Sequence, residues 1–227
     1  MDDFVAQVSG VGTLADPVRR RLYAFVAAQP GPVSRDEAAT GTGLARHTVK
    51  FHLDKLVTEG LLAAEFRRLD GRRGPGAGHP TKLYRRSGRQ FEVSLPERRY
   101  AVAAQVLATA VEQAARYGTP ITDAVRAAAA AAGRDAVAAA GPGPGDPMTV
   151  LAGVGYEPRR QDDVIALVNC PFHQLAREHT ALTCDLSLHL VRAILAGTGA
   201  DGLDARLDPG PGRCCVTIGP ARAPEVR

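Results

Sequence analysis

"LARHTVKFHLDKLVTEGLL", residues 44–62, decides the fold. Val49, Leu53, Leu56 and Val57 recur at helical spacing and mark one apolar stripe. If that stripe faces a core, Arg46, His47, Thr48, Lys50, Phe51 and Lys55 lie on or beside the outer face, with His52 at its border. Asp54 is the only acidic residue between Arg46 and Lys55. Long cations contact phosphates or base-edge acceptors, a hydroxyl serves either, and an exposed aromatic ring meets thymine methyls. Each residue alone is ordinary helix-surface polarity. Together they form a face fitted to nucleic acid.

Upstream, "ADPVRRRLYAFVAAQP" (15–30) supplies Asp16 as an N-cap and Pro17 at the first helical position. Val18, Leu22, Phe25 and Val26 form its stripe, and Pro30-Gly31-Pro32 ends it. "SRDE" at 34–37 is a capping box, in which Ser34 caps the Glu37 amide and the Glu37 carboxylate reaches back. The short helix it starts ends at Gly41-Thr42-Gly43. Two helices joined by a tight glycine turn make a helix-turn-helix, whose second helix enters the major groove. Ser34, at the head of the first of them, joins the candidate DNA contacts. Ala45 begins the second helix without a capping side chain, which costs roughly 0.5–2 kcal/mol unless Thr42 or the Gly43 backbone takes over.

Downstream, Leu61–Arg67 and Lys82–Arg86 read as strands flanking a loop of Gly, Pro and Arg. A hairpin after a recognition helix is the wing of a winged helix. Arg67, Arg68, Arg72, Arg73, His79 and Lys82 give it cations for phosphate or minor-groove contact. No Walker pattern supports a nucleotide loop instead. Residues 1–90 carry 15 Lys and Arg against 9 Asp and Glu, a net +6; the remainder carry 13 against 15, a net −2. A basic excess confined to one half indicates that this half meets a polyanion.

The segment 14–90 resembles the ArsR-type winged-helix transcriptional regulators. The likeness rests on "TLADPVRRRLYAFV", "LARHTVKFHLDKLVTEGLL" and "GHPTKLYRRS". It implies a regulator that binds double-stranded DNA, normally as a homodimer reading two half-sites.

The second half predicts an α+β unit. "SLPERRYAVAAQVLATAVEQAARYG" (94–118) reads as a long helix with Val102, Val106, Leu107, Ala110 and Val111 on one side, either a linker that packs on a partner subunit or a core helix. A second, Ala-rich helix spans about 121–140, and "GPGPGDP" (141–147) breaks it. A short helix from 148, strands at 156–161 and 163–170, two helices, and strands in "LDARLDP" and "RCCVTIG" then imply a small antiparallel sheet with helices on one face. The expected organisation is a winged helix-turn-helix domain at 1–90, a helical linker or dimerisation region at 91–144, and a sensor domain at 145–227.

The chain has four cysteines, at 170, 184, 214 and 215. Strand alternation would put Cys214, Val216 and Ile218 on one face and turn Cys215 away, bringing Cys214 toward Cys184 and Cys170. Three converging thiols, completed by His173 or Cys215, would suit Zn²⁺ or an iron–sulfur cluster. No C-x₂-C pair is present, and the alternative is buried thiols serving as small hydrophobes. The run "NCPFHQLAREHTALTCDLSLHLVRAIL…RLDPGPGRCCVTI" behind an ArsR-like head is similar to the SufR-like regulators, which carry an iron–sulfur cluster on C-terminal cysteines. That resemblance implies Cys170, Cys184 and Cys214 as ligands; the family's third position, near Thr198–Gly199, holds no cysteine here. A cluster with a non-Cys fourth ligand, a zinc site, or a relative without metal all stay open.

Two other readings fit parts of the sequence. A winged-helix regulator could sense a small organic ligand between sheet and helices. A thiol redox enzyme could use Cys170, but its "CPFH" places His173 where such enzymes have their second cysteine. The expectation is a regulator and no enzyme. No stretch was expected to reach membrane-span length, and "MDDFVAQ" lacks a signal pattern, so the expected compartment is the cytoplasm, with thiols kept reduced.

Overall fold

The computed structural model describes residues 2–68, 80–141, 145–210 and 212–221. The chain forms two compact units, Met1–Val93 and Ser94–Arg227.

In the first unit, α1 (Asp2–Thr13) precedes α2 (Pro17–Ala27), β1 (Val33–Ser34), α3 (Arg35–Thr42), α4 (Arg46–Thr58), β2 (Leu62–Arg67) and β3 (Thr81–Arg86). Asp16 caps α2 by accepting from the Val18 and Arg19 amides, both at 2.9 Å. Ser34 and Glu37 form the expected capping box on α3. Gly43, at φ 65°, closes α3 in the left-handed region open to glycine, and so makes the turn into α4. Gly41 permits a second tight fit, because a Cβ there would fall within the Phe25 ring. α4 has no side-chain cap; Thr42 does not supply one, since its hydroxyl donates to the Ala38 carbonyl instead.

The three strands order as β1-β3-β2, all antiparallel, with Leu62 opposite Arg86 and Arg67 opposite Thr81. β1 and α1 were not foreseen. β1 has two residues and exists only through its pairing with β3, Val33 against Tyr84. The core gathers Leu22 and Val26 of α2, Val49, Leu53 and Leu56 of α4, and Leu62 and Tyr84 of the sheet. Val18, Phe25 and Val57 pack at its edge.

The second unit contains α5 (Tyr100–Tyr117), α6 (Ile121–Ala139), α7 (Pro147–Gly153), β4 (Pro158–Gln161), β5 (Val164–Leu167), α8 (His173–Glu178), α9 (Thr180–Gly197), β6 (Leu203–Leu207) and β7 (Val216–Pro220). Its sheet, ordered β4-β5-β7-β6, is antiparallel throughout. α9 lies between this sheet and α6, and α5 packs on α6. Gly133 lets α6 and α9 touch backbone to backbone, because a Cβ there would sit 2.5 Å from the Leu190 carbonyl oxygen. Ala103, Val106 and Ala110 of α5 therefore join the same core as Ile165, Phe172, Ile194 and Ile218. Val111, expected on the buried side, is exposed.

α5 also starts later than expected. Residues 94–99 form a strap fastened to the loop before α8. Asn169 Nδ2 donates to the carbonyls of Glu97 and Gly155, both at 2.8 Å, and Arg98 donates to Asn169 Oδ1 and the Cys170 carbonyl. These tertiary bonds hold 94–99 out of the helix expected over 94–118. By length and composition α9 could cross a membrane, which corrects the expectation that no stretch reaches that length. Half of it is buried in this core.

Candidate functional site

The outer face of α4 is built by contrast with its inner one. Val49, Leu53 and Leu56 are wholly buried, while Arg46, His47, Lys50, Phe51 and Lys55 are exposed and Thr48 is half-buried. Phe51 is 68% exposed. His52 departs from the expected face. It is half-buried, its Nδ1 is sealed from solvent without a hydrogen-bond partner, and its ring meets Phe51 edge-on. Ser34 is buried and occupied as the α3 cap, so its side chain is not presented outward.

Several of the cations are held in place by carboxylates. Arg46 forms a two-pronged pair with Asp36 at the start of α3. Lys55 pairs with Glu59 at 2.6 Å and Arg67 with Glu65 at 2.6 Å. Such exposed pairs are weak and exchange readily for phosphate. Among the described residues, His47 and Lys50 make no ion pair. Arg68 is exposed at the end of the hairpin strand, whereas Arg72, Arg73 and His79 lie outside the described residues.

A clamp that the sequence did not reveal joins α4 to the wing strand. Lys82 Nζ and the Tyr84 hydroxyl both donate to Asp54 Oδ1, at 2.6 and 3.0 Å. Partial burial pushes the Asp54 carboxyl up, but these two hydrogen bonds and the Lys82 charge outweigh it and hold it below the usual range. Burial, with Asp54 adding to it, pushes the Tyr84 phenol up. Lys82 thus serves first as a strut. A lone carboxylate in a cationic face was the available signal. A cleft of about 340 Å³ lies here, lined by Arg35, Asp36, Arg46, Lys50, Asp54 and Lys82. Another, of about 450 Å³, runs over His47, Lys50, Phe51 and Lys55.

In the second unit the cysteines form two pairs, where three converging thiols were expected. Cys184 of α9 is disulfide-bonded to Cys215, with their Cα atoms 6.3 Å apart. Cys170 and Cys214 are free and buried. Alternation holds in part: Cys214 shares the core with Val216 and Ile218 and meets Cys170, but Cys184 is reached by the partly buried Cys215 and not by Cys214. A bend there turns Cys215 to α9 and Cys214 to Cys170. Cys170 follows β5 rather than ending it.

The Cys170 and Cys214 thiols interact with each other, and the Ser187 hydroxyl approaches Cys214 Sγ at 4.0 Å, itself 2.6 Å from the buried Tyr156 hydroxyl. These donors hold the Cys214 thiol below its usual range despite burial. Its hydrogen bond to Cys214, with burial behind it, pushes the Cys170 thiol up, which does not favour it as a nucleophile. His173 opens α8 with an exposed side chain. Among the described residues no three His, Cys, Asp or Glu side chains are grouped to hold a metal ion. With Cys184 and Cys215 joined, two thiols remain free.

Residues 14–64 match the model of a helix-turn-helix domain family, spanning α2, β1, α3 and α4 and the start of β2. Neither the curated proteins nor the solved structures contain a match to the chain.

Proposed function

We propose that the protein is a sequence-specific, double-stranded-DNA-binding transcription regulator of the ArsR-type winged-helix class, acting as a homodimer. The observation that carries this is the one-sided burial of α4, which leaves Arg46, His47, Lys50, Phe51 and Lys55 outward above a sealed Val49–Leu53–Leu56 stripe. In this reading α4 enters the major groove. Lys50 and His47 meet base edges, Phe51 meets a thymine methyl, and Arg46 and Lys55 exchange their carboxylates for phosphates. The Asp54 clamp fixes the wing strand against α4. The match over residues 14–64 supports the same assignment. Selection of bound duplexes from a random pool tests it. A recurrent pair of half-sites and a two-chain sedimenting species are expected; recovery of no consensus would refute the reading.

The effector is read through the second unit's cysteines. A cysteine-bound metal, zinc or an iron–sulfur cluster, remains part of this proposal only in a state where Cys184–Cys215 is reduced and four thiols are free. Metal analysis and the visible spectrum of oxygen-free, reduced protein test it: bound zinc or cluster absorbance supports it, and metal-free, colourless protein removes it.

A specific observation favours a second reading, in which a small apolar ligand is sensed. A cleft of about 630 Å³ lies between α5, α6 and the end of α7, lined by Val102, Val106, Ala128, Ala132, Val154 and Leu190. It lies among helices and not against the sheet. Compounds that raise the thermal midpoint and lose that effect in Ala132→Trp would support it.

A further inference from the structure

We propose that the Cys184–Cys215 bond is a covalent docking site for a low-molecular-weight thiol. This goes beyond the metal and ligand readings above and does not rest on them. The two sulfur pairs differ in access. Cys170 and Cys214 are 8% and 1% exposed and Cys184 is 7% exposed, so burial alone does not separate the pairs; Cys215 is half-buried. Both half-cystines of the bond instead line a cavity of about 540 Å³ whose walls include Val125, Leu182, Leu207 and Pro209. Arg126 at its wall is paired with Asp185 at 2.8 Å and with Asp123 at 3.5 Å. A disulfide is an electrophile toward thiolates, and access decides which one is attacked. The cavity therefore makes this bond, and not the sealed pair, the reactive element.

The chemistry is an exchange with no net oxidant. The incoming thiolate sulfur bonds to Cys215 Sγ, the more exposed of the two half-cystines. The Cys184–Cys215 bond breaks, and its electron pair leaves on Cys184 Sγ, which takes a proton from solvent. The thiol's sulfur is oxidised as Cys184 is reduced. The product carries a mixed disulfide at Cys215 and a free thiol at Cys184. The thiol's substituent occupies the cavity, and α9 is released from the segment before β7.

The probes are glutathione and cysteamine, applied to the full-length, air-oxidised protein, quenched in acid, alkylated and mapped by mass spectrometry. Expected are a Cys184–Cys215 cross-link before treatment, then one thiol adduct on Cys215 and one alkylated Cys184, with Cys170 and Cys214 unadducted. Filling the cavity mouth by Ala181→Trp should slow adduct formation about tenfold by blocking access to the sulfur. Leu182→Trp, at an already exposed position, repeats that test should Ala181→Trp unfold. Absence of the initial cross-link, first adducts on Cys170 or Cys214, or rates indifferent to the folded cavity variant would each overturn the proposal.

Discussion

α4 and α9 are the helices on which the two units are organised, and they are buried in opposite ways. α4 buries one stripe and leaves the other side to solvent, furnished with cations and Phe51. α9 is enclosed on several sides: Leu186, Leu188, Leu190, Val191, Ile194 and Leu195 are all buried, along with Thr183 and Ser187. A helix covered on one side has a face to spend on a partner. A helix packed against both a sheet and another helix is a scaffold, and what it presents is positioned by the core, as Ser187 is toward Cys214 and Cys184 toward Cys215.

The sharpest way to break this contrast is to truncate a side chain on the face of each helix that the other helix treats differently. Leu188→Ala in α9 should cost about 2–5 kcal/mol in chemical unfolding, the range for deleting a buried leucine. Phe51→Ala in α4 should change stability by no more than about 0.5 kcal/mol, as for exposed sites without special contacts. Equal costs would erase the distinction.

A smaller effect is expected where α9 meets α6. Gly133→Ala places a methyl 2.5 Å from the Leu190 carbonyl and should cost about 1–3 kcal/mol by overpacking, read from the denaturation midpoint of the full chain. A neutral result would mean the two helices are free to part.

The smallest expected effect concerns pH. The Asp54 carboxyl titrates below its unfolded value, so its contribution is fully present above that value, about 3.9, and is lost as pH falls through the lower folded one. Thermal midpoints measured from pH 6 down to pH 3 should therefore fall less steeply in Asp54→Asn than in the parent chain. A parallel fall would show that the clamp to Lys82 and Tyr84 adds nothing.

What could be read in advance follows the same division. Local signals were legible where short-range chemistry acts alone: Asp16 and Ser34–Glu37 as caps, and Val49, Leu53 and Leu56 as a buried stripe. They failed where tertiary contacts decide. β1 is too short to carry a pattern and forms only on β3. The start of α5 is displaced because Glu97 and Arg98 bond to Asn169 and Cys170. Cys215 joins Cys184 across the fold, a pairing that alternation within one strand cannot locate. On the candidate DNA face, Arg46, His47, Lys50, Phe51 and Lys55 are outward as expected, but Thr48 and His52 are half-buried. Ser34 and Lys82 are spent on internal bonds whose partners lie elsewhere in the chain or the fold.

The most direct test of the central claim is the affinity of full-length protein for its selected duplex, compared with Lys50→Ala and Phe51→Ala at fixed salt. The account predicts that each variant keeps the parent's unfolding midpoint yet loses about 1–3 kcal/mol of binding. Unchanged affinity in both folded variants would contradict it, because the open face of α4 would then not be the surface that meets DNA.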